Sequence, residues 1–350
     1  MNNIKKIGLS ALAGSLAMVS ANAIEYTMTG GLLSTYTTQD APSGTEAESG
    51  KGLGVATDLS FNAAGELDNG FTVGYFMAVD TNGALSNTSS QLTVGMGSLG
   101  TLQLNNKYGS KANAIDDVTP NAYNETWDGL TSGDGKTVAT ENNPSFFGSQ
   151  TSSGSLDYRI PAQEYMGTTI NASVTYDPQA GAAGASKGGV AATNAGSGQA
   201  YTIQASHDLG LEVGIGYETS SNQTTSQSDL SSETAYIKYA VGGVSIAYQE
   251  AFRNASNNTA GTTAVADTEA TMFGLAYTAG DVTVSYGEST LQTKAIGATV
   301  ARVEVELTSI QAAYTMGAMT LSAAMSETDN AGGVSAAKYE ENTLAVSFAF

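Results

Sequence analysis

Along most of this chain, apolar side chains alternate with polar or small ones at a period of two residues. The C-terminus shows this most clearly, with apolar residues at Leu344, Val346, Phe348 and Phe350 and small or polar residues between them. The same pattern recurs across residues 71–79. Such alternation is typical of a β-strand that has one apolar face and one polar face. The chain is therefore predicted to be all-β.

The alternating segments are numerous and regularly connected. Sixteen of them lie near residues 24–38, 53–67, 71–80, 89–97, 100–107, 154–160, 168–176, 200–208, 211–219, 232–241, 243–253, 269–278, 281–290, 302–315, 318–327 and 341–350. Short turns such as Asp68-Asn69-Gly70 alternate with long polar connections such as 177–199. An even strand number with short turns at one end and long loops at the other is the plan of a bacterial transmembrane barrel.

The N-terminus has the features of a secretory signal peptide. Lys5 and Lys6 precede a largely apolar stretch over 7–19, and Ala21-Asn22-Ala23 provides a small-residue cleavage pattern. We therefore expect a signal peptide at 1–23 and a mature chain of 24–350. The mature chain has no apolar run near the ~20 residues that a membrane-spanning helix needs. If it enters a membrane, it must do so as a closed antiparallel β-barrel, predicted here with about sixteen strands.

Composition restricts the partners of the chain. Acidic residues number 33 against 13 lysines and arginines, for a formal net charge of −20, and loss of the signal peptide would remove Lys5 and Lys6 but no acid. Such a surface repels nucleic acid and attracts cations. Cysteine is absent, so neither disulfides nor thiol catalysis is available. A soluble β-sandwich would alternate equally well along its strands, but the regular short and long connections favour the barrel.

Three features of the mature chain resemble a known family. The segment Gly95–Leu104 looks like a glycine turn between the fourth and fifth strands, Leu156–Pro161 is similar to a tyrosine-x-x-proline strand, and Phe350 ends the last strand with an aromatic carboxylate. Together with the strand count, they resemble the general bacterial porins of the trimeric, sixteen-stranded type. The resemblance implies a homotrimer in the outer membrane of a Gram-negative bacterium. It also implies that Phe350 is a C-terminal signal for the barrel-assembly machinery.

In that family a long third loop folds into the barrel and narrows it. Residues 108–153 occupy the corresponding position here and form the longest connection in the chain. By resemblance, the acidic side of the constriction consists of Asp116, Asp117, Glu125, Asp128, Asp134 and Glu141. The chain departs from the family's usual loop tip and has Pro144-Ser145-Phe146-Phe147-Gly148 instead. Which of the acids face the narrowest point is therefore left open by the sequence.

Family members place basic residues on the wall opposite this loop. Strand parity gives four candidates that point away from the apolar face: Lys107, Arg159, Lys238 and Arg253. A lysine or arginine on the lipid face costs about 2–4 kcal/mol at the bilayer midplane, which favours the lumen for these side chains. For Lys107 and Arg253, an equal alternative is a solvated strand end above the membrane.

The function implied is passive diffusion of ions and small hydrophilic solutes through a water-filled channel. Because acids exceed bases about threefold in the mature chain, we expect a preference for cations. The alternative is that many acids lie on external loops, where salt screens them over ~10 Å. A substrate-specific channel and, further away, a secreted β-rich adhesin are the other candidate functions. Outer-membrane lipids are the expected surroundings in the first two cases.

No cofactor or enzymatic activity is expected. Asp116 with Asp117, or Glu304 with Glu306, offers carboxylates for Ca²⁺, but neither pair has the spacing of a known calcium loop, and a solvated acidic surface is the default. His207 is the only histidine, so a histidine-dependent hydrolase would have to use it. It adjoins a short turn, where an interfacial or turn role is favoured.

Overall fold

The computed structural model describes residues 24–43, 50–80, 86–128, 144–151, 154–179, 195–222, 229–254, 267–294, 303–333 and 335–350. The strands are β1 (Glu25–Ser43), β2 (Gly50–Glu66), β3 (Thr72–Asp80), β4 (Ser86–Gly95), β5 (Thr101–Lys107), β6 (Ser155–Arg159), β7 (Gln163–Tyr165), β8 (Thr168–Asp177), β9 (Ala195–His207), β10 (Leu211–Asn222), β11 (Leu230–Val241), β12 (Val244–Asn254), β13 (Asp267–Ala279), β14 (Val282–Lys294), β15 (Val305–Met316), β16 (Met319–Asp329) and β17 (Lys338–Ala349). Among the described residues, no helix is long and apolar enough to cross a membrane.

The strands form one closed antiparallel barrel. Each strand pairs with its neighbour in sequence, except that β6 and β7 both pair with β8 and so form two parts of one barrel strand. The barrel therefore has sixteen strands. It closes where β1 pairs with β17, in a register that sets Gly31 opposite Ala349 and Thr37 opposite Thr343. Closure leaves no strand edge unpaired, as a lipid environment requires.

The two faces of the barrel wall have opposite polarity. Large apolar side chains are exposed on the outer face; they include Ile203, Ile215, Ile237, Ile310 and Leu344. On alternate positions, polar residues point inward and are buried; they include Thr234, Gln249, Ser285, Ser309 and Gln311. A soluble protein buries its apolar face instead. This inverted arrangement is the one that a barrel in a bilayer needs.

All sixteen predicted strands are present, and their ends differ from the predicted ones in two ways. The predicted strand 154–160 ends at Arg159, and pairing with β8 resumes as β7 with the register shifted by one residue, from Arg159 opposite Ser173 to Gln163 opposite Ile170. Several strands extend further than expected toward the long loops: β9 begins at Ala195 and β14 continues to Lys294. At these strand ends the backbone hydrogen bonds continue although apolar and polar residues no longer alternate. A strand end outside the apolar layer of the bilayer needs no apolar outward face.

The described connections at the N-terminal end of β1 are short, whereas the gaps in the described residues lie at the other end. The short turns contain glycines at positive φ, among them Gly70 at 81° and Gly210 at 90°. At Gly210 a Cβ atom would lie 1.9 Å from the carbonyl oxygen of Ala240, so this turn accepts glycine alone without rearrangement. This end of the barrel is called the short-turn end below.

Candidate functional site

The connection between β5 and β6 contacts the inward face of strands that are distant in sequence. Gln249 on β12 accepts a hydrogen bond from Val118 N at 2.9 Å and donates one to Ile115 O at 2.8 Å. Gln311 on β15 accepts one from Tyr123 N at 2.8 Å and donates one to Asn124 O at 2.7 Å. Two glutamine side chains thus satisfy backbone groups of a segment that has no regular structure of its own.

Glycines in the wall make room for this loop segment. A Cβ atom at Gly216 would lie 2.4 Å from the Phe147 ring, and one at Gly287 would lie 2.0 Å from Thr126 Oγ1. At Gly274, a Cβ atom would lie 2.8 Å from both Thr119 and Pro120 (all three distances are far below van der Waals contact). The three positions lie on the inward faces of β10, β14 and β13, so the wall accommodates the loop along its length.

The returning arm of the loop is held by a buried carboxylate. Glu218 on β10 accepts hydrogen bonds from Gly148 N at 3.1 Å, Thr151 Oγ1 at 2.9 Å and Ser232 Oγ at 3.0 Å. Its side chain is fully buried. Because three donors converge on this one buried carboxyl group, this contact is a principal anchor of the loop.

Apolar packing supplements these polar contacts. Phe146 belongs to a buried inward-facing cluster with Met272, Leu291 and Leu307, and Trp127 packs against its edge. Ile115 and Phe147 form a second cluster with Tyr236 on β11. An apolar cluster on the inward face excludes water from that part of the barrel.

Of the predicted acids, four lie in the described part of the loop and two, Asp134 and Glu141, lie outside the described residues. Asp117 is buried, and its Oδ1 accepts hydrogen bonds from Thr119 N at 2.7 Å and Thr119 Oγ1 at 2.6 Å, which stabilise a local turn. Glu125 is also buried, whereas Asp116 and Asp128 are half-buried. The acids are therefore packed between loop and wall to different degrees.

Asp116 has a perturbed carboxyl group in the described part of the loop. Burial, with the charges of Glu125 and Asp117 beside it, raises its pKa to about 7, while hydrogen bonds from Ser145 and Asp117 N act in the opposite direction. Gln249 on the wall donates to the backbone oxygen of Asp116 at 3.3 Å. The group therefore changes charge near neutral pH.

The four predicted bases lie on inward faces but have different surroundings. Lys107 donates to the backbone oxygen of Asn87, and Arg253 lies over the Phe146 ring at 4.8 Å from its centroid. Arg159 Nε donates to Asp157 Oδ2 at 2.8 Å. Lys238 is half-buried and pairs across the ladder with Glu212. The bases are thus spread over β5, β6, β11 and β12 instead of forming one cluster.

The two motifs singled out in the sequence pack against each other at the short-turn end. Tyr158 OH donates to Leu99 O at 2.7 Å, across the β5–β6 pair. Gly100 has φ at 90°, and a Cβ atom there would lie 2.4 Å from Arg159 O. The glycine turn and the tyrosine strand therefore form one structural unit.

Comparison with known proteins identifies the family. A model of the Gram-negative porins matches residues 8–303. The chain belongs to the Gram-negative porin family. No curated protein sequence gives a significant match.

Solved structures share the fold of this porin at low sequence identity. The anion-selective porin from Comamonas acidovorans is 13% identical with a TM-score of 0.65, over 94% of this chain and 100% of that one. Salmonella typhi OmpF, in complex with daunomycin, is 14% identical with a TM-score of 0.63, over 93% and 98%. The trimer form of OmpT from Vibrio cholerae is 11% identical with a TM-score of 0.61, over 95% and 100%. The porin is an outer-membrane β-barrel.

One feature of this porin was not predicted from the sequence: a pair of aspartates lies on the inward wall away from the loop. Asp58 on β2 stands directly opposite Asp80 on β3, and both are half-buried. The inward face of β1–β3 around them is also partly exposed, at Thr29, Thr35, Thr37, Asn62 and Phe76. Both aspartates lie eleven residues from Asn69 at the centre of the predicted turn. A hairpin centred on Asn69 would therefore have predicted that they face each other.

Two minor candidates also have definite positions in the porin. His207 ends β9, and its Nδ1 accepts a hydrogen bond from Leu209 N at 3.1 Å, which is a turn contact. Among the described residues, no group of three or more histidine or carboxylate side chains is placed to hold a metal ion. Calcium binding by Asp116 with Asp117, or by Glu304 with Glu306, stays a prediction.

Proposed function

We propose that this porin is a water-filled channel for the passive diffusion of ions and small hydrophilic solutes across the outer membrane, with a preference for cations. The loop of residues 108–153 acts as its constriction. No covalent step is needed, because solutes are selected by size and by the field of the lining charges.

The observation that carries this proposal is the unequal covering of the inward wall. Described loop residues contact the inward wall from β9 to β17, where many inward positions are buried, and Leu33 on β1 packs at the edge of this contact. The inward positions of β1–β3 are mostly half-exposed. A solute path along β1–β3, bounded on its other side by the loop, follows from this asymmetry.

Cation preference is supported by the acids that border this path. Asp58 and Asp80 face each other across the β2–β3 ladder, where like charges at short range keep a negative potential in the lumen. The cations concentrated there would be the ones that permeate.

A planar-bilayer measurement tests the function and its selectivity together. Under a potassium chloride gradient, we expect stepwise conductance and a reversal potential of the sign that indicates potassium permeation. The D58N/D80N double variant is expected to shift that potential toward zero, because two charges leave the path. E250Q is the matched control, since Glu250 is exposed on the outer face and accepts a hydrogen bond from Tyr248 OH at 2.7 Å.

Folded protein that does not conduct would rule out the channel. A chloride-favouring potential in the wild type would rule out cation preference alone and leave the channel in place. If E250Q changed the potential as much as D58N/D80N, the selectivity would come from overall charge and not from the β2–β3 wall.

The protonation of Asp116 makes a second prediction about selectivity. Since its raised pKa lies at about 7, the group is charged at pH 8 and largely neutral at pH 6. We expect the cation preference to weaken as the pH falls through this range, because one negative charge leaves the lumen. Reversal potentials at both pH values measure the effect, and D116N is expected to reduce the difference.

H207N is the control for that experiment, because it alters a turn at the short-turn end and leaves Asp116 in place. If D116N left the pH dependence intact, the assignment to Asp116 would be wrong.

Assembly and export complete the proposal. A homotrimer is supported by the trimer form of the Vibrio cholerae relative, which shares the fold. Phe350, exposed at the end of the chain beyond β17, is suited to be read by the barrel-assembly machinery. The proposed signal peptide at 1–23 lies outside the described residues.

A further inference from the structure

A pocket of about 310 Å³ opens on the inward wall at the short-turn end, beside the start of the loop. Its polar side chains come from the loop and from β6, β8 and β9: Lys111, Arg159, Asn171, Ser173, Thr202 and Gln204. The Gly97–Gly100 turn and Pro161 close it below. The packing of Tyr158 and Gly100 described above therefore forms the base of this pocket.

Two cationic side chains, Lys111 and Arg159, line the pocket, and Asp157 interacts with both. Arg159 uses two of its five N–H groups, Nε to Asp157 Oδ2 at 2.8 Å and Nη2 to Gly109 O at 3.1 Å. Lys111 makes no hydrogen bond to any described residue. Asp157 is fully buried and also accepts a hydrogen bond from Thr175 Oγ1 at 2.8 Å, so each of its two oxygens already accepts one hydrogen bond.

The charge of the pair is consequently not balanced. Burial, followed by the charge of Arg159, lowers the pKa of Lys111, and the charge of Asp157 only partly offsets this. An anion that contacted both cations would relieve their repulsion. The guanidinium N–H groups and the ammonium are then available as donors to it.

The neutral side chains around the two cations determine which further chemical groups of a ligand the pocket could bind. Ser173 and Thr202 hydroxyls bond each other at 2.7 Å, and Gln204 Nε2 donates to Tyr236 OH at 2.7 Å, which leaves Gln204 Oε1 as an acceptor. The Asn171 amide is exposed toward the pocket. Hydrogen-bond donors in the pocket thus outnumber acceptors, which suits a ligand rich in oxygen atoms.

We propose that this pocket is a binding subsite for small organic carboxylates, held between Lys111 and Arg159 at the short-turn end of the channel. The proposal rests on the proposed function and names a solute class for it. Within a lumen where acids predominate, the pocket supplies a local site for anions. Its volume is at the lower end of the range for small-molecule sites, about 300–1,000 Å³, so the ligand is a compact mono- or dicarboxylate.

Isothermal titration calorimetry of the folded, detergent-solubilised protein with succinate tests the subsite without requiring conduction. We expect saturable binding of succinate and none of succinamide, which has the same shape without the charges. K111Q is expected to weaken succinate binding at least tenfold while it keeps the Arg159–Asp157 pair intact. K107Q is the matched control, because it removes one inward-facing charge outside the pocket.

The outcomes separate this subsite from the channel itself. No saturable binding by the wild type, or equal losses in K111Q and K107Q, would overturn the subsite whether or not the protein conducts. Binding that is lost in K111Q alone supports it, even for protein that forms no channel in a bilayer. R159Q leaves Asp157 buried without its arginine partner, so its result can be interpreted only if circular dichroism shows that the variant folds. K111Q is therefore the variant that decides whether the subsite exists.

Discussion

Replacement of Glu218 by alanine is expected to raise the single-channel conductance of the porin and make the open state noisier. Three donors that Glu218 satisfies, on Gly148, Thr151 and Ser232, would lose their acceptor in a buried site. A buried donor left without an acceptor costs about 1–3 kcal/mol, so the returning arm of the loop would lose much of its attachment. Single-channel recording in a planar bilayer measures the result.

E212A is the control for the lost charge. Glu212 lies on the same strand and the same inward face, where it accepts a hydrogen bond from Tyr236 OH at 2.6 Å and contacts no described part of the returning arm. We expect E212A to alter ion selectivity without raising conductance. Unchanged conductance in folded E218A would mean that the apolar contacts of Phe146 and Phe147 hold the arm without the carboxylate.

The loop is attached to the wall by contacts of different kinds, and together they explain why it lies to one side of the barrel. The glutamine contacts fix backbone groups, the wall glycines set the approach distance, and Glu218 fixes the end. All of these described contacts fall on β10 and β12–β15. The same asymmetry that anchors the loop therefore favours the β1–β3 wall for the proposed solute path.

The fold was predictable because alternation is a local property with a single period. A segment such as Thr343–Ala349 specifies its outward face by itself, and closure of sixteen such segments follows from the need to pair every backbone group. The end of the sixth strand was predicted at Ile160 and lies at Arg159, whereas its short continuation as β7 was not predicted. Strand ends near long loops were missed because alternation stops before backbone pairing does.

The site was less predictable because its geometry depends on contacts between distant segments. Parity correctly turns Arg253 toward the barrel interior, but its position over Phe146 depends on how the loop returns. The loop acids have no periodicity, so their packing could not be derived from spacing. The pairing of Asp58 with Asp80 could have been predicted from the hairpin register. The role of Lys111 could not, because it depends on the proximity of Arg159 in the folded chain.

Substitution of Gly30 by valine is expected to destabilise the barrel at its closing seam. Gly30 and Phe350 exchange two backbone hydrogen bonds, Gly30 N to Phe350 O at 2.6 Å and Phe350 N to Gly30 O at 3.0 Å. A Cβ atom at Gly30 would lie 2.5 Å from Phe350 Cε2. Overpacking of this kind costs about 1–3 kcal/mol, and here it also displaces the last residue of the chain. Heat-induced unfolding in detergent, followed by gel mobility, measures the loss.

The sign of the effect separates the seam from general strand preference. Valine has a higher strand propensity than glycine, so propensity alone predicts that G30V stabilises the barrel. G52V is the matched control, because Gly52 lies on the adjacent strand β2 with no atom within 4 Å of its would-be Cβ. A stable G30V barrel would show that the Phe350 ring can move aside without cost. Destabilisation by G30V with no loss in G52V would place the C-terminal aromatic residue among the contacts that close the barrel.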